Sequence, residues 1–343
     1  MELGVYSFGH RARRSDGSLA STAQAIRDLL EGVRLAEEVG PDFFGVGEHH
    51  TLSMPVSAPG TLLAAAAAAT SRIGLGSTVT VLGTDDPVRV YQSHATAWAV
   101  SGGRVDITVG RGSSTDPFPL FGYSLADYDR LFAEKLDLLL AVNATERVTW
   151  NGKLRPALHD AVVVPRVEGG LKIWLGTGGN PGSCVRAGML GLPLAFGILS
   201  GSAPEWVARA ELYRQAAAEA DHTADSLEIA VASHGFVAKD GNDARDRYFA
   251  YENEAFAAYA EEHGHPAMSR TRAQFDRDAG TGGMVFAGGP EEVAERLVTF
   301  YRALGHSRHI LQMDLGHLPQ AEWLEAIELL GTAVAPLVRA ETA

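Results

Sequence analysis

Phe43-Phe44-Gly45-Val46-Gly47-Glu48-His49-His50 is the stretch whose reading decides the fold. An apolar run with two small glycines that ends abruptly in a carboxylate and two imidazoles reads as a buried strand carrying titratable groups to its C-terminal rim. That rim is where α/β enzymes keep their chemistry. Strand side chains alternate, so Glu48 and His50 are expected on one side and His49 on the other. One histidine then faces a pocket and the other supports it, with the carboxylate available to fix a tautomer.

Outward from this strand the pattern repeats. Residues 3–8 form an apolar strand, and a helix follows that opens on a capping box of Ser21 with Gln24 and carries Ile26, Leu29, Leu30 and Val33 at helical spacing. Residues 73–82 are rich in β-branched side chains, and Asp86-Pro87 opens the next helix. Further strands are expected at 104–109, 172–175, 194–199, 227–237 and 309–313, each followed by a helical stretch. Eight strands alternating with helices predict a single-domain α/β chain with a (β/α)8 TIM barrel. A barrel needs about 250 residues, so the surplus is assigned to excursions at 112–125, 143–170 and 263–289, the last read as a mobile flap. A doubly wound sheet is the alternative, but no Gly-x-Gly-x-x-Gly follows the first strand.

Bulk composition narrows the function. The 343 residues carry a net charge of −13, which opposes adhesion to nucleic acid or anionic membrane. No basic leader and no apolar run of membrane-spanning length is present, so a cytoplasmic protein is expected. The single cysteine, Cys184, excludes an internal disulfide and a cysteine-built metal site. The one His-x-His, His263-Gly264-His265, lies in the expected flap, and His234 and Asp314 lack a histidine partner pattern, so no metal is expected.

Two more strand ends join the histidines. Gly110-Arg111-Gly112 offers a guanidinium between residues that let backbone approach, suited to an anion or to a structural salt bridge. Gly176-Thr177-Gly178-Gly179-Asn180-Pro181 is a glycine-rich turn into a capped helix, a phosphate-binding geometry shared with ordinary tight turns. Gly288-Gly289-Pro290-Glu291-Glu292 looks alike, but its two acids repel an anion and mark it as capping.

Together, Gly47-Glu48-His49-His50, the run Gly76-Ser77-Thr78-Val79-Thr80-Val81-Leu82 with Asp86-Pro87-Val88-Arg89, and Ser101-Gly102-Gly103-Arg104 with Gly110-Arg111-Gly112 resemble the bacterial luciferase-like flavin-dependent monooxygenase family. The resemblance is strong over residues 40–142 and weaker over 172–199. It implies a TIM barrel binding FMN, delivered reduced by a separate flavin reductase, that uses O2 to oxygenate a small apolar organic substrate. It also implies His49 as catalytic acid/base, Thr78 and Val79 at a non-proline cis peptide beneath the flavin ring, and Gly110, Arg111, Thr177, Gly178 and Gly179 around the phosphate. Glycines replace the more polar pattern of luciferase in the 176–181 turn, and the 263–289 segment differs from the luciferase flap, so light emission is not implied. Within the same fold, hydride transfer with the deazaflavin F420 is the rival; a non-catalytic flavin-binding barrel is the rival of another class. The small side chains of residues 64–69 suggest a homodimer through that helix, with Ala66 at the contact.

Overall fold

The computed structural model describes residues 1–223, 227–266 and 268–342. The strands are β1 Glu2–Ser7, β2 Phe43–Val46, β3 Gly74–Val81, β4 Val105–Gly110, β5 Arg147–Trp150, β6 Leu158–Val162, β7 Ile173–Thr177, β8 Leu194–Ile198, β9 Ile229–Val237, β10 Phe286–Gly288 and β11 Arg308–Gln312. Parallel pairing runs β1, β2, β3, β4, β7, β8, β9, β11 and back to β1, which closes an eight-stranded barrel inside a ring of helices. Every residue of β2, β4 and β11 is buried, as expected of strands covered on both faces.

The floor of the barrel, at the N-terminal ends of the strands, is an ion pair. Arg308 meets Asp106 at 2.8 Å and Glu2 at 2.6 Å, Trp174 Nε1 donates to Asp106 Oδ2 at 3.1 Å, and the guanidinium lies 3.8 Å above the Phe43 ring. Above it Tyr6, Phe43 and Ile310 pack together with Phe8 and Ala232. The interior is thus filled from below and free for function only at the C-terminal mouth.

The helix ends follow the sequence signals. Ser21 Oγ accepts from Gln24 N, Asp86 caps the helix Pro87–Ser101, Asn180 caps Pro181–Met189, and Gly40 at φ 107° ends the helix Thr22–Val39. The Gln24 side chain turns to Asp28 and Arg27 instead of closing the expected box. The 143–170 excursion is the antiparallel hairpin of β5 and β6.

Two expectations need correction. Residues 263–289, of which 267 lies outside the described residues, do not form a free flap over their described part: Arg272–Asp278 is a helix with a reciprocal capping box and a buried Phe275, and residues 284–287 are buried, with β10 paired to β9. The apolar Met284-Val285-Phe286 run drives that anchoring, because leaving it in water would forfeit its burial. Ala66 is also not at a surface. It is fully buried, and Ala65, Ala68 and Ala69 face outward. Ala66→Glu is therefore expected to destabilise the protomer by about 3 kcal/mol or more, through an unpaired buried carboxylate, read as a lowered urea midpoint. An unchanged midpoint would move this helix off the core.

Among the described residues no helix is long and apolar enough to cross a membrane.

Candidate active site at the barrel mouth

β2 delivers its rim residues in the expected alternation. Glu48 Oε1 lies 3.0 Å from His50 Nε2, and Glu48 Oε2 accepts the Val81 N–H at 2.8 Å, so this pair braces β2 against β3. The carboxylate thus serves His50 and not His49. His49 donates its backbone N–H to Val56 O at 2.8 Å, while its ring Nδ1 has no hydrogen-bond partner among the described residues. Burial, then the neighbouring His10, push the His49 pKa down to about 4, against the opposing pull of Asp116. The ring is therefore neutral at pH 7, able to take a proton.

What aims that ring is a phenylalanine. Phe8 stands edge-on to His49 with centroids 4.7 Å apart at 76°. It reaches there because residue 47 has no side chain: a Cβ on Gly47 would lie 2.0 Å from the Phe8 ring. Gly47→Ala is expected to cost about 1–3 kcal/mol through overpacking and to turn the His49 ring, visible in urea denaturation and in imidazole NMR shifts. A variant as stable as the parent, with unmoved His49 resonances, would refute this support.

β3, β4 and β7 supply a shelf beside the histidine. The Thr78–Val79 peptide bond is cis. Val79 occupies the room left by two strand-end glycines, where a Cβ on Gly110 or Gly176 would come within 2.8 or 2.7 Å of it. Thr78 lies over Gly45, with its hydroxyl unpartnered. Both side chains remain half-buried.

Beyond the shelf, Arg111 joins the two anion-binding candidates. Its guanidinium contacts Asp129 at 2.7 Å and donates to Ser183 Oγ at 3.3 Å, on the helix that Asn180 caps. Thr177 Oγ1 accepts the Asn180 N–H at 3.2 Å, Gly179 takes φ +90°, and the space around Gly178 is open to within 4.0 Å. The salt-bridge reading of Arg111 is thus realised, but its partner Asp129 is 77% exposed, and such a pair is worth little. His49, Thr78, Val79, Gly110, Arg111, Thr177, Gly178 and Gly179 all sit at the C-terminal ends of β2, β3, β4 and β7, neighbours on one rim.

Sequence reasoning did not assign several mouth residues to this site, and it weighed Asp314 and His263 only as metal ligands. His10, just past β1, contacts Gln312 at 3.2 Å, and burial pushes its pKa down to about 3. It carried the same signal as His49, a titratable group after a strand. Asp314 accepts from Ser7 Oγ at 2.5 Å, with its pKa pushed up to about 6 by burial. His263 has Tyr259 O and Asp116 Oδ2 each at 2.7 Å, acceptors on both nitrogens, and its pKa is raised by these contacts against the opposing effect of burial. Next to it Glu262 takes the Ser53 N–H at 2.9 Å, so one helix end ties down the histidine loop and the loop after Arg111. No local pattern announces a pair 147 residues apart. Among the described residues no group of three or more His, Cys, Asp or Glu is placed to hold a metal ion.

A family model described as luciferase-like monooxygenase matches residues 1–308. The chain belongs to that family. The 4-hydroxyprotoasukamycin monooxygenase of Streptomyces nodosus subsp. asukaensis is 31% identical over 261 residues, covering 71% of this chain and 68% of that protein. The F420-dependent glucose-6-phosphate dehydrogenase of Beutenbergia cavernae is 37% identical over 188 residues, 51% of this chain and 54% of that one. Among solved structures, the oxygenating constituent of 3,6-diketocamphane monooxygenase from Pseudomonas putida, in complex with FMN, superposes with a TM-score of 0.75 at 21% identity, covering 98% of each chain. Proteins similar to this chain thus include one named as a monooxygenase and one named as F420-dependent, and its fold is shared by an FMN-bound protein.

Proposed function

We propose that this luciferase-like protein is an FMN-dependent monooxygenase acting in the cytoplasm on a small apolar organic substrate. The carrying observation is one rim on which an unpartnered neutral imidazole and a guanidinium-plus-turn cradle flank a half-buried shelf. The residues fit a flavin phosphate and ring: Arg111 reaches Ser183 on the helix after the 177–180 turn, a Cβ on Gly178 would meet nothing nearer than 4.0 Å, and Gly110 and Gly176 make room for Val79 to form the half-buried shelf.

In this reading Arg111 with Thr177, Gly178 and Gly179 holds the phosphate, Gly110 gives clearance, Thr78 and Val79 support the ring, and His49 moves a proton at Nδ1 or Nε2. Bound reduced flavin, supplied by a separate reductase, would provide the two electrons that let O2 give one oxygen atom to the substrate while the other leaves as water. Arg111→Ala is expected to weaken FMN binding by about 1.5–3 kcal/mol, roughly 10- to 150-fold, in a fluorescence-quenching titration. Unchanged affinity would leave Arg111 as the partner of Asp129 alone.

The relative that uses F420 favours a second reading, hydride transfer to or from an alcohol or carbonyl without oxygen. Parallel titrations of the cofactor-free protein with FMN and F420 separate the two. A barrel that binds flavin yet shows no cofactor-dependent O2 uptake and no hydride transfer would be non-catalytic. We also propose a homodimer through the outward face of the helix Pro59–Ala69. Ala68→Glu, on the exposed side, should halve the mass measured by light scattering.

A further inference from the structure

The helix Gly241–Glu262 follows β9, and its contacts trace the rim of the mouth. Over a length of about 33 Å it meets in turn the loops after β11, β1, β2 and β4, the order in which those strands stand around the barrel. A Cβ on Gly316 would come within 2.4 Å of Tyr251 O, Glu254 pairs with Arg13, Glu262 takes the Ser53 N–H at 2.9 Å, and His263 reaches Asp116. The helix is thus a strap over the strand ends. Its root is fixed, with Tyr248 stacked on Phe236 at 5.9 Å, Arg245 paired to Glu292, and Arg247 to Glu322 at 3.0 Å. Its tip joins the loop that carries His49 to the loop that leaves Arg111.

At the tip, His263 Nδ1 faces Tyr259 O and Nε2 faces Asp116 Oδ2, each at 2.7 Å. Both partners are acceptors, so both ring nitrogens have to donate, and only the imidazolium carries two N–H groups. The side chain is 7% exposed, which leaves water little room to take over a lost bond. We propose that His263 is a proton-operated clasp: as the imidazolium it pins the strap's tip across the mouth, and once neutral it drops one of its two bonds and the tip releases the loops after β2 and β4 together. The groups facing the ring set the direction. Asp116 from the loop after β4 and Glu262 from the strap favour the cation, and His265 stacks at 6.1 Å. Tyr259 and His49 complete the surroundings; burial raises the pKa of Tyr259 and lowers that of His49 to about 4, so both stay neutral between pH 6 and 9. Against burial, which alone would lower it, the bonds to Tyr259 O and Asp116 raise the His263 pKa. The clasp is therefore shut in mild acid and opens as pH rises through that raised value, when one charge-assisted hydrogen bond is forfeited.

Hydrogen exchange of the cofactor-free full chain tests this, with rates at pH 6 and pH 9 each divided by the intrinsic exchange rate at that pH. Protection of the amides of residues 263–265 and of Ser53 is expected to fall together by roughly tenfold between the two. The midpoint should lie above the ordinary imidazole value of 6.5, while the root around Tyr248 stays protected. His263→Gln should show the parent's pH 9 level at both pH values, and His265→Gln should keep the parent's drop. Asp116→Asn should stay shut at both, because its amide can offer oxygen to the imidazolium or N–H to the neutral ring. Root protection at the parent's level shows in each variant that the fold is kept. Equal protection at the two pH values in the parent would overturn the clasp, as would a drop that persists in His263→Gln. A drop at the tip that leaves Ser53 unmoved, or an Asp116→Asn protein that opens like the parent, would overturn it too. No cofactor takes part, so the outcome is independent of the flavin reading.

Discussion

His49→Ala is expected to lower flavin-dependent turnover by about 10²–10⁴-fold, the usual worth of a positioned acid/base group, with FMN affinity nearly unchanged. The variant keeps the cradle intact, because Arg111, Ser183 and the 177–180 turn are held by hydrogen bonds among themselves and to Asp129. The pH profile carries the mechanism further. A pKa pushed down to about 4 leaves His49 neutral throughout pH 6–8, so the parent should show no limb from this residue there. Steady-state O2 uptake checks both points. Turnover within a few-fold of the parent would remove His49 from the proton transfer, and a limb near pH 6.5 that vanishes in the variant would show the ring to be solvated.

The second large effect is on stability. His94, His306 and His309 are buried outside the mouth, where burial pushes the pKa of His94 down to about 4, of His306 to about 3, and of His309 well below the ordinary value. His94 spends its nitrogens on Val90 O at 2.8 Å and Thr80 Oγ1 at 3.3 Å. His309 sits between His306 at 3.1 Å and Ser233 Oγ at 2.8 Å. Each folded pKa is depressed, so as pH falls below about 6.5 the unfolded chain takes up protons that the folded chain refuses. Stability is full above that pH and drops by up to about 1.4 kcal/mol per pH unit for each such histidine. Equilibrium urea unfolding between pH 7 and 4.5 should show a steep loss, steeper than carboxylates alone would give. His94→Gln, which keeps an amide in place of the imidazole, should flatten the slope by about one proton. A urea midpoint constant across that range would contradict the burial of these rings.

Most of the barrel was legible because its strands are covered on both faces and so appear as continuous apolar runs cut by glycine, proline and capping residues. The rim followed from the same logic, since polar groups after a buried strand must sit where water or a ligand can meet them. What stayed hidden had physical reasons. An all-alanine run carries no contrast between faces, so nothing in residues 64–69 distinguishes the buried Ala66 from the exposed Ala68. Three-residue β10 is too short to show a period. Alternation had placed Glu48 and His50 on one side, as found, but that Glu48 would also brace the Val81 N–H of the next strand had no local signal. The Asp116–His263 and Arg308–Asp106 pairs join residues 147 and 202 positions apart, and only folding puts them together.

The Arg308 plug also governs traffic. With Asp106, Glu2, Trp174 and Phe43 packed about it, Arg308 closes the N-terminal end of the barrel among the described residues. Reactants and products are therefore expected to come and go by the C-terminal mouth, so a ligand seated across the shelf stands in the path of any smaller one.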